Sequence, residues 1–209
     1  MRSIDALELI KKGRIEELKE KLQDEVYADA LKNKPGAKKR YEAMKRYFRY
    51  SDSTREILQK PCMVDFEGSM YTALCNSFSL ALTKEPCGAI ELCTEPDRYP
   101  PVTRLIQRDG SGEKLNLRAV LAEAKSKGYK LKKSEVSSNN YLMHYNGAYF
   151  RIGLLDITYG VIDNGEDVTV YHVKDSKRSM VIENDIGICL VLPTNSQEQP
   201  EGTIVIEVE

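Results

Sequence analysis

The sequence predicts an α+β protein in which antiparallel sheets pack against helices and a helical N-terminal segment comes first. Apolar residues recur at helical spacing through residues 1–59. From Pro61 onward they alternate along short segments separated by turn residues, which is typical of β-strands. Further helical patterns then lie among the strands. Because the two spacings follow each other along one chain, we expect helices and an antiparallel sheet to share a core.

The N-terminal segment, residues 1–59, is predicted to contain three helices and a final helical turn. The first covers residues 3–13, in which Ser3 is suited to cap the N-terminus and Gly13 to end the helix. The second has an apolar stripe at helical spacing, and the sequence KNKPG ends it. A third helix follows, and the capping-box spacing of Ser53 and Glu56 predicts the final turn. The apolar stripe of the second helix consists of Ile15, Leu18, Leu22, Val26 and Ala30.

Residues 60–195 are predicted to form the α+β domain. Its first strand candidates are CMVDFE, SMYTALC and FSLALTK, with GAIELC as a fourth. The Pro-rich and charged stretch EPDRYPPVTRLIQRDGSGE is interpreted as a connector at an internal boundary. Beyond it, LNLRAVLAEAKSKGYK is an amphipathic helix and YLMHYN a strand.

The C-terminal part of this domain is predicted to be a helix over residues 149–162 followed by three strands, VTVYHV, SMVIE and GICLVLP. Residues 196–209 are predicted to be a polar linker and an edge strand. The order of one helix and three strands occurs at 37–84 and again at 149–193. We interpret this order as a weak internal repeat.

The chain has the composition of a globular protein without a membrane span. It has 209 residues, of which 41% are hydrophobic and 30% charged. No apolar run reaches the roughly 18 residues that a membrane-spanning helix needs, and the N-terminus does not resemble a signal peptide. The five cysteines lack CxxC spacing. We therefore expect reduced thiols, a cytoplasmic location and no membrane partner.

Basic residues are concentrated on two predicted helical faces, although the net charge of the chain is −1. Residues 31–50 contain eight basic side chains and one acid, Glu42. Flexible cations without neighbouring Asn or Gln are suited to contacts with a phosphate backbone, whereas a solvated helix face is the simpler interpretation. The predicted DNA-binding residues are Lys38, Lys45 and Arg49 of the third helix, with Lys39 and Arg46 alongside, and Lys114, Arg118 and Lys125 of the amphipathic helix.

No residue pattern predicts catalysis, and we expect neither a cofactor nor a bound metal. The chain contains no glycine-rich phosphate loop, GxSxG elbow or dinucleotide fingerprint. The two histidines lack a surrounding motif, and the sequence DNGED at 163–167 lacks the ligand spacing of a calcium loop. One enzymatic alternative stays open, which is metal-dependent phosphoryl transfer. Its carboxylates would come from Asp65, Glu67, Glu91 and Glu95.

The order of elements in the second half of the chain resembles the final half-domain of DNA sliding clamps, the processivity factors of replicative polymerases. In that half-domain a strand and a helix precede three strands, the last of which ends in a Leu-Pro or Met-Pro pair. Here YNGAYFRIGLLDITYGVI would supply the strand end and the helix, and VTVYHV, SMVIENDIG and ICLVLP the three strands. DRYPPVTRLI is similar to the segment that joins clamp domains, and MVDFEGSMYTALCNSFSLAL to the strands before it. The resemblance covers roughly residues 60–195.

The resemblance implies βαβββ units whose basic helices face double-stranded DNA and a client pocket near the last strand. Lys114, Arg118 and Lys125 would face the DNA. Leu192 and Pro193 would border the pocket, whose client would be a polymerase or another replication protein. A ring of so short a chain would require a homo-oligomer.

Three departures from the family pattern point to a diverged, clamp-like protein of a phage or mobile element. The helix at 149–162 carries only Arg151 as a cation, the end of the last strand lacks an arginine, and the N-terminal segment has no clamp counterpart.

We therefore expect a non-enzymatic protein that binds the DNA backbone, a replication partner or both. The first alternative is a protein-interaction module without nucleic-acid binding, in which the sheet or the apolar helix at 149–162 docks a partner. It predicts an exposed apolar patch. The second alternative is the phosphoryl-transfer enzyme, which requires its carboxylates to converge on a metal.

Overall fold

The computed structural model describes residues 3–50, 55–108, 110–172, 178–194 and 201–208. The helices in these ranges are α1 Ser3–Lys11, α2 Ile15–Ala30, α3 Ala37–Tyr50, α4 Val102–Leu105, α5 Leu117–Ser126, α6 Lys133–Val136 and α7 Ile152–Tyr159. The strands are β1 Cys62–Phe66, β2 Ser69–Cys75, β3 Ser79–Thr83, β4 Glu113–Leu115, β5 Tyr141–Tyr145, β6 Ala148–Arg151, β7 Val168–Tyr171, β8 Met180–Glu183, β9 Gly187–Val191 and β10 Ile204–Val208.

The strands form two sheets. The larger has the order β1-β2-β3-β9-β8-β7-β4, and every neighbouring pair in it is antiparallel. The smaller has the order β10-β5-β6, in which β10 runs parallel to β5 at one edge. The structure confirms the α+β class and the helical N-terminal segment.

Both faces of the large sheet are buried at its centre. All five residues of β3 and all five of β9 are buried. Ala81 and Cys189 belong to the core shared with α3, α5 and α7, whereas their neighbours Leu80, Leu82 and Leu190 belong to a second core on the opposite face. Because successive strand residues point to opposite faces, the residues of these central strands are buried on both faces, including the polar ends of β3, Ser79 and Thr83.

The two segments that each contain one helix and three strands meet at the centre of the large sheet. Strands β1–β3 follow α3, strands β7–β9 follow α7, and β3 pairs with β9. Helices α3 and α7 also contact each other. No strand precedes α3 within residues 3–36, and the strand directly before α7, β6, belongs to the small sheet. A βαβββ unit begins with a strand that precedes its helix. In the described residues, neither α3 nor α7 directly follows a strand of the large sheet.

The segment that was interpreted as a connector forms a layer over the second face of the large sheet. A 3-10 turn, Pro96–Arg98, and α4 lie within it. Tyr99, Val102 and Ile106 are buried in the second core, and the Tyr99 hydroxyl donates to the Ala73 carbonyl at 3.1 Å. Strands that precede this segment and strands that follow it pair in one sheet. The segment therefore contributes side chains to the core and also connects the two groups of strands.

The helix predicted at 149–162 is shorter than expected and begins after a strand. Asn146 and Gly147 both have positive φ, 50° and 78°, and form the two-residue turn of the β5–β6 hairpin. Residues 148–151 consequently form β6, and α7 begins at Ile152. The helix is also buried on nearly all sides, so it does not offer the docking surface that the interaction alternative assigned to it or to the sheet.

Other element predictions need smaller corrections. GAIELC, residues 88–93, contains no strand. Lys114 lies on β4 at the edge of the large sheet and not on the amphipathic helix, which begins at Leu117. Ser53 lies outside the described residues, and Glu56–Gln59 forms a 3-10 turn. The apolar stripe at helical spacing correctly predicted α2, although no residue of that helix is buried. No helix in the described residues is long and apolar enough to cross a membrane.

Candidate functional site

A cleft of about 400 Å³ on the helix-covered face of the large sheet collects charged side chains from three helices. Helices α3, α5 and α7 and the turn after α7 line it. Four cations and two carboxylates give it two net positive charges when all six are ionised. The charged residues are Lys39 and Arg46 of α3, Arg118 and Lys125 of α5, Asp156 of α7 and Asp163 of the turn.

Asp163 joins the two basic helices. Its carboxylate accepts hydrogen bonds from Lys39 Nζ at 2.6 Å and from Arg118 Nε at 2.7 Å, one on each oxygen. The Tyr159 hydroxyl also donates to it, at 3.1 Å. Burial alone would raise the pKa of Asp163, but the hydrogen bonds from Lys39 and Arg118 outweigh burial and lower it. The carboxylate therefore stays ionised and holds one cation from each helix in place.

The backbone around Asp163 adds further contacts to this anchor. Arg118 Nη1 donates to the Gly165 carbonyl at 3.0 Å, and the Gly165 amide donates to the Asp163 carboxylate at 3.2 Å. The buried guanidinium of Arg40 donates to the Asp163 carbonyl at 3.4 Å and pairs with Glu85. The turn after α7 is thus fixed from both helices.

Asp156 is the second carboxylate of the cleft and is half-buried. Burial raises the pKa of Asp156, while nearby Lys125 and a hydrogen bond from Tyr129 work in the opposite direction. The Tyr129 hydroxyl donates to Oδ2 of Asp156 at 3.2 Å. The pKa of Asp156 is raised overall and that of Asp163 is lowered, so Asp156 holds its negative charge less firmly than Asp163 does.

Arg46 and Lys125 are the cleft cations that keep their charge available. Neither forms an ion pair with any residue in the described part of the chain. Lys125 of α5 is exposed and Arg46 of α3 is partly exposed, so the two cations come from separate helices. Both act electrostatically on Asp156 and lower its pKa against the effect of burial. Cations without a direct ion-pair partner are suited to contacts with phosphate groups.

The structure brings together only some of the predicted DNA-binding residues. Arg118 and Lys125 line the cleft. Lys45 points away from it and pairs with Asp24 of α2 at 2.8 Å and with Glu42 at 2.8 Å, so its charge is neutralised. Lys38 and Arg49 are exposed on α3 outside the cleft lining, and Lys114 is exposed on β4. The cleft contains instead the two α3 cations alongside them, Lys39 and Arg46.

The residues predicted to border a client pocket lie at the end of β9. The Leu192 amide donates to the Phe78 carbonyl at 3.0 Å, and the side chains of Leu192 and Phe78 are 41% and 47% exposed. Pro193 is partly exposed beside them. Arg151 lies over the Phe78 ring at 5.3 Å from its centre. The two exposed apolar side chains form a small patch at this end of the sheet.

The carboxylates of the phosphoryl-transfer alternative do not converge. Glu67 pairs with Arg108, Glu91 with Lys60, and Glu95 with Arg98. Asp65 accepts the Gly68 amide at 3.3 Å in the β1–β2 turn. In the described ranges no group of three His, Cys, Asp or Glu side chains is placed to hold a metal ion. The four carboxylates thus have different partners in this part of the chain.

Comparisons of the chain with protein-family models, curated proteins and solved structures found no match.

Proposed function

We propose that this protein is a non-enzymatic, clamp-like protein that binds the phosphate backbone of double-stranded DNA through the cleft between α3, α5 and α7. The convergence of cations from two separate helices, anchored by Asp163, supports this proposal most strongly. Lys39 and Arg118 form the fixed frame of the site. Arg46 and Lys125 supply the charge that contacts phosphate.

The charge distribution fits backbone contact better than base reading. Among the described residues, the cleft lining offers lysine and arginine side chains but no asparagine or glutamine that could pair with a base edge. Contacts of this kind position a protein on DNA without specifying sequence. Lys38 and Arg49 are exposed on α3, which also supplies Lys39 and Arg46, and they add positive charge beside the cleft.

The five cysteines are free thiols, which supports the expectation of a reducing, cytoplasmic setting. A replication partner at Leu192 and Pro193 and assembly into a homo-oligomer are further parts of the proposal that the sliding-clamp resemblance implies. Backbone contact at the cleft does not depend on encirclement of the DNA.

Equilibrium binding to a fluorescein-labelled 20-base-pair duplex tests the proposal. We expect salt-sensitive binding to duplexes of unrelated sequence, with dissociation constants on the order of 1–100 µM. The double variant Arg46→Gln/Lys125→Gln is expected to weaken binding about tenfold at low salt, because two phosphate contacts are lost. Both side chains lie at the surface of the cleft, so we expect the variant to fold normally.

The matched control is Lys60→Gln/Arg104→Gln, which removes the same charge elsewhere. Lys60 is paired with Glu91, and Arg104 is exposed on α4, which covers the opposite face of the large sheet. We expect less than a twofold change for this variant. Equal losses in the two variants, or no binding of the wild-type protein at low salt, would overturn the proposal.

A further inference from the structure

The N-terminal helices expose several large apolar side chains to solvent. The exposed fractions of these side chains lie between 44% and 71%; the residues are Leu7 and Ile10 of α1 and Ile15, Leu22 and Val26 of α2. A helix whose apolar stripe remains in solvent usually has a partner for it. The stripe of α2 therefore marks a surface that the rest of the described chain does not cover.

This surface is one wall of a groove of about 870 Å³ between α2 and residues 88–91. Leu22 and Val26 line it from α2, and Ile90 lines it from the opposite wall. Two carboxylates, Glu20 and Glu91, also line it, whereas no lysine, arginine or histidine in the described chain does. Glu91 is paired with Lys60 at 2.6 Å, so among the described residues Glu20 supplies the unpaired negative charge of a mainly apolar lining.

The groove is shaped by fixed contacts on the inner side of α2. Tyr27 donates its hydroxyl hydrogen to the Pro86 carbonyl at 3.1 Å, and its ring lies directly against Gly88. Gly88 has a φ of +62°, and a Cβ atom at this position would collide with the Tyr27 ring. Asp24 accepts hydrogen bonds from Tyr41 and Lys45 of α3 at 2.6 and 2.8 Å. Since these inward contacts set the rotation of α2, Leu22 and Val26 must face outward.

The length, apolar lining and charge of the groove indicate what kind of partner it binds. Along α2, from Glu20 to Ala30, the groove is about 15 Å long at 1.5 Å per residue, which matches roughly three turns of a bound helix. Helices that bind in apolar grooves present side chains at positions i, i+3 or i+4, and i+7. Helix α2 has six acidic and two basic residues, a net charge of −4. We propose that the groove binds an amphipathic helix of a partner protein whose apolar stripe is flanked by lysine or arginine.

Charge disfavours a second copy of this chain as the occupant through the same helix. Pairing α2 with α2 would bring two helices of net charge −4 together. A basic amphipathic helix gains in both respects, because it covers Leu22 and Val26 and faces Glu20 and the net negative charge of α2. This inference is independent of DNA binding, since the groove and the cleft share no lining residue.

A synthetic probe tests this inference on the full chain. The probe is a dansyl-labelled 14-residue peptide of leucine and lysine with leucine at i, i+3, i+4, i+7 and i+11, and binding is followed by fluorescence. We expect saturable 1:1 binding that weakens about tenfold in Val26→Asp, because one buried valine contact is replaced by a charge. The substitution adds a negative charge, so a loss of affinity for a basic peptide identifies the apolar contact. Val26→Ala is expected to weaken binding in the same direction by a smaller factor.

Three controls make the result decisive. Met70→Asp introduces the same charge at a methionine that is 56% exposed on β2, and we expect no change in peptide affinity. Arg46→Gln/Lys125→Gln, which tests the DNA cleft, is also expected to bind the peptide normally. A peptide with glutamate in place of lysine should not bind.

Any of three outcomes would overturn the inference. These are equal binding of the glutamate peptide, peptide affinity that is unchanged in both Val26 variants, and a wild-type dimer in light scattering that Val26→Asp converts to a monomer. The last outcome would assign the groove to a second copy.

Discussion

Helix α3 packs beside α2 on one side and borders the cleft on the other. Its cations differ between these two sides in whether they form ion pairs. On one side Lys45 is paired with Asp24 of α2, next to the groove. On the other side Arg46 faces the cleft and has no ion-pair partner in the described chain. These residues are adjacent in sequence but point in directions about 100° apart. The comparison shows that the neighbouring helix, and not the basic composition of α3, decides which cations remain available.

The cleft and the contact between α2 and α3 also differ in how deeply the stabilising carboxylate is buried. The cleft is organised by Asp163, whose side chain is only 7% exposed and contacts both basic helices. The contact between α2 and α3 depends on Asp24, whose side chain is 35% exposed. A buried acceptor shared by several donors costs more to remove than a partly exposed one. The following predictions test this difference.

The largest effect is expected for Asp163→Asn. The amide keeps the size of the side chain but lacks the charge that holds Lys39 and Arg118. Because both cations can be rehydrated, we expect the free energy of unfolding to fall by about 2 kcal/mol, within the range for lost charge-assisted hydrogen bonds. Urea denaturation followed by circular dichroism measures it. Asp167→Asn, an exposed carboxylate in the same turn, is the matched control and should have no measurable effect. An equal loss in the two variants would contradict the anchoring role.

The effect of Asp163 should depend on pH. Its pKa is lowered in the folded protein, since the hydrogen bonds from Lys39 and Arg118 outweigh the opposing effect of burial. A carboxyl of this kind stabilises the fold above its unfolded pKa and loses that contribution as the pH falls through its folded pKa. The difference between wild type and Asp163→Asn should be complete at pH 7 and shrink below the ordinary pKa of 3.8. An increase of this stability difference as the pH falls would contradict the prediction.

A smaller effect is expected for Asp24→Asn. The variant weakens the hydrogen bonds to Tyr41 and Lys45, and we expect a loss of about 1 kcal/mol because the pair is partly exposed. Hydrogen exchange should accelerate in α2 but not in α7. Asp29→Asn, in which the exposed pair with Lys32 is lost, controls for the change in charge. Unchanged exchange in α2 would show that Asp24 does not hold this helix.

Local patterns in the sequence predicted the class and most elements of this fold. The stripe of Leu117, Val120, Leu121 and Ala124 correctly predicted the buried face of α5. The alternation from Cys62 onward correctly predicted β1–β3. The spacing of apolar residues along α5 reflects contacts with one core, whereas β2 and β3 contribute side chains to both cores.

Two errors in the elements had signals that the sequence already contained. The Asn146-Gly147 pair is a strong hairpin signal, and it correctly explains why residues 148–151 form a strand. Residues 152–162 are apolar on nearly every side, a pattern that indicates a buried helix and not a docking surface.

The composition of the cleft could not be predicted from the sequence. Its anchor, Asp163, lies 124 positions after Lys39 and 45 after Arg118, so local spacing gives no sign that they meet. The same reason applies to Lys45, whose neutralising partner Asp24 belongs to another helix. The outward stripe of α2 is likewise set by long-range contacts at Tyr27 and Asp24. Charge availability and surface exposure are properties of tertiary contacts, whereas periodicity reports only the element itself.

The salt dependence of DNA binding tests the central claim most directly. For duplex DNA the slope of log K against log salt concentration changes by about 0.9 for each phosphate contact. We predict that Arg46→Gln/Lys125→Gln reduces the magnitude of the wild-type slope by about 2, whereas Lys60→Gln/Arg104→Gln leaves it unchanged. Equal slopes for the wild type and the cleft variant would show that the cleft does not contact the DNA backbone.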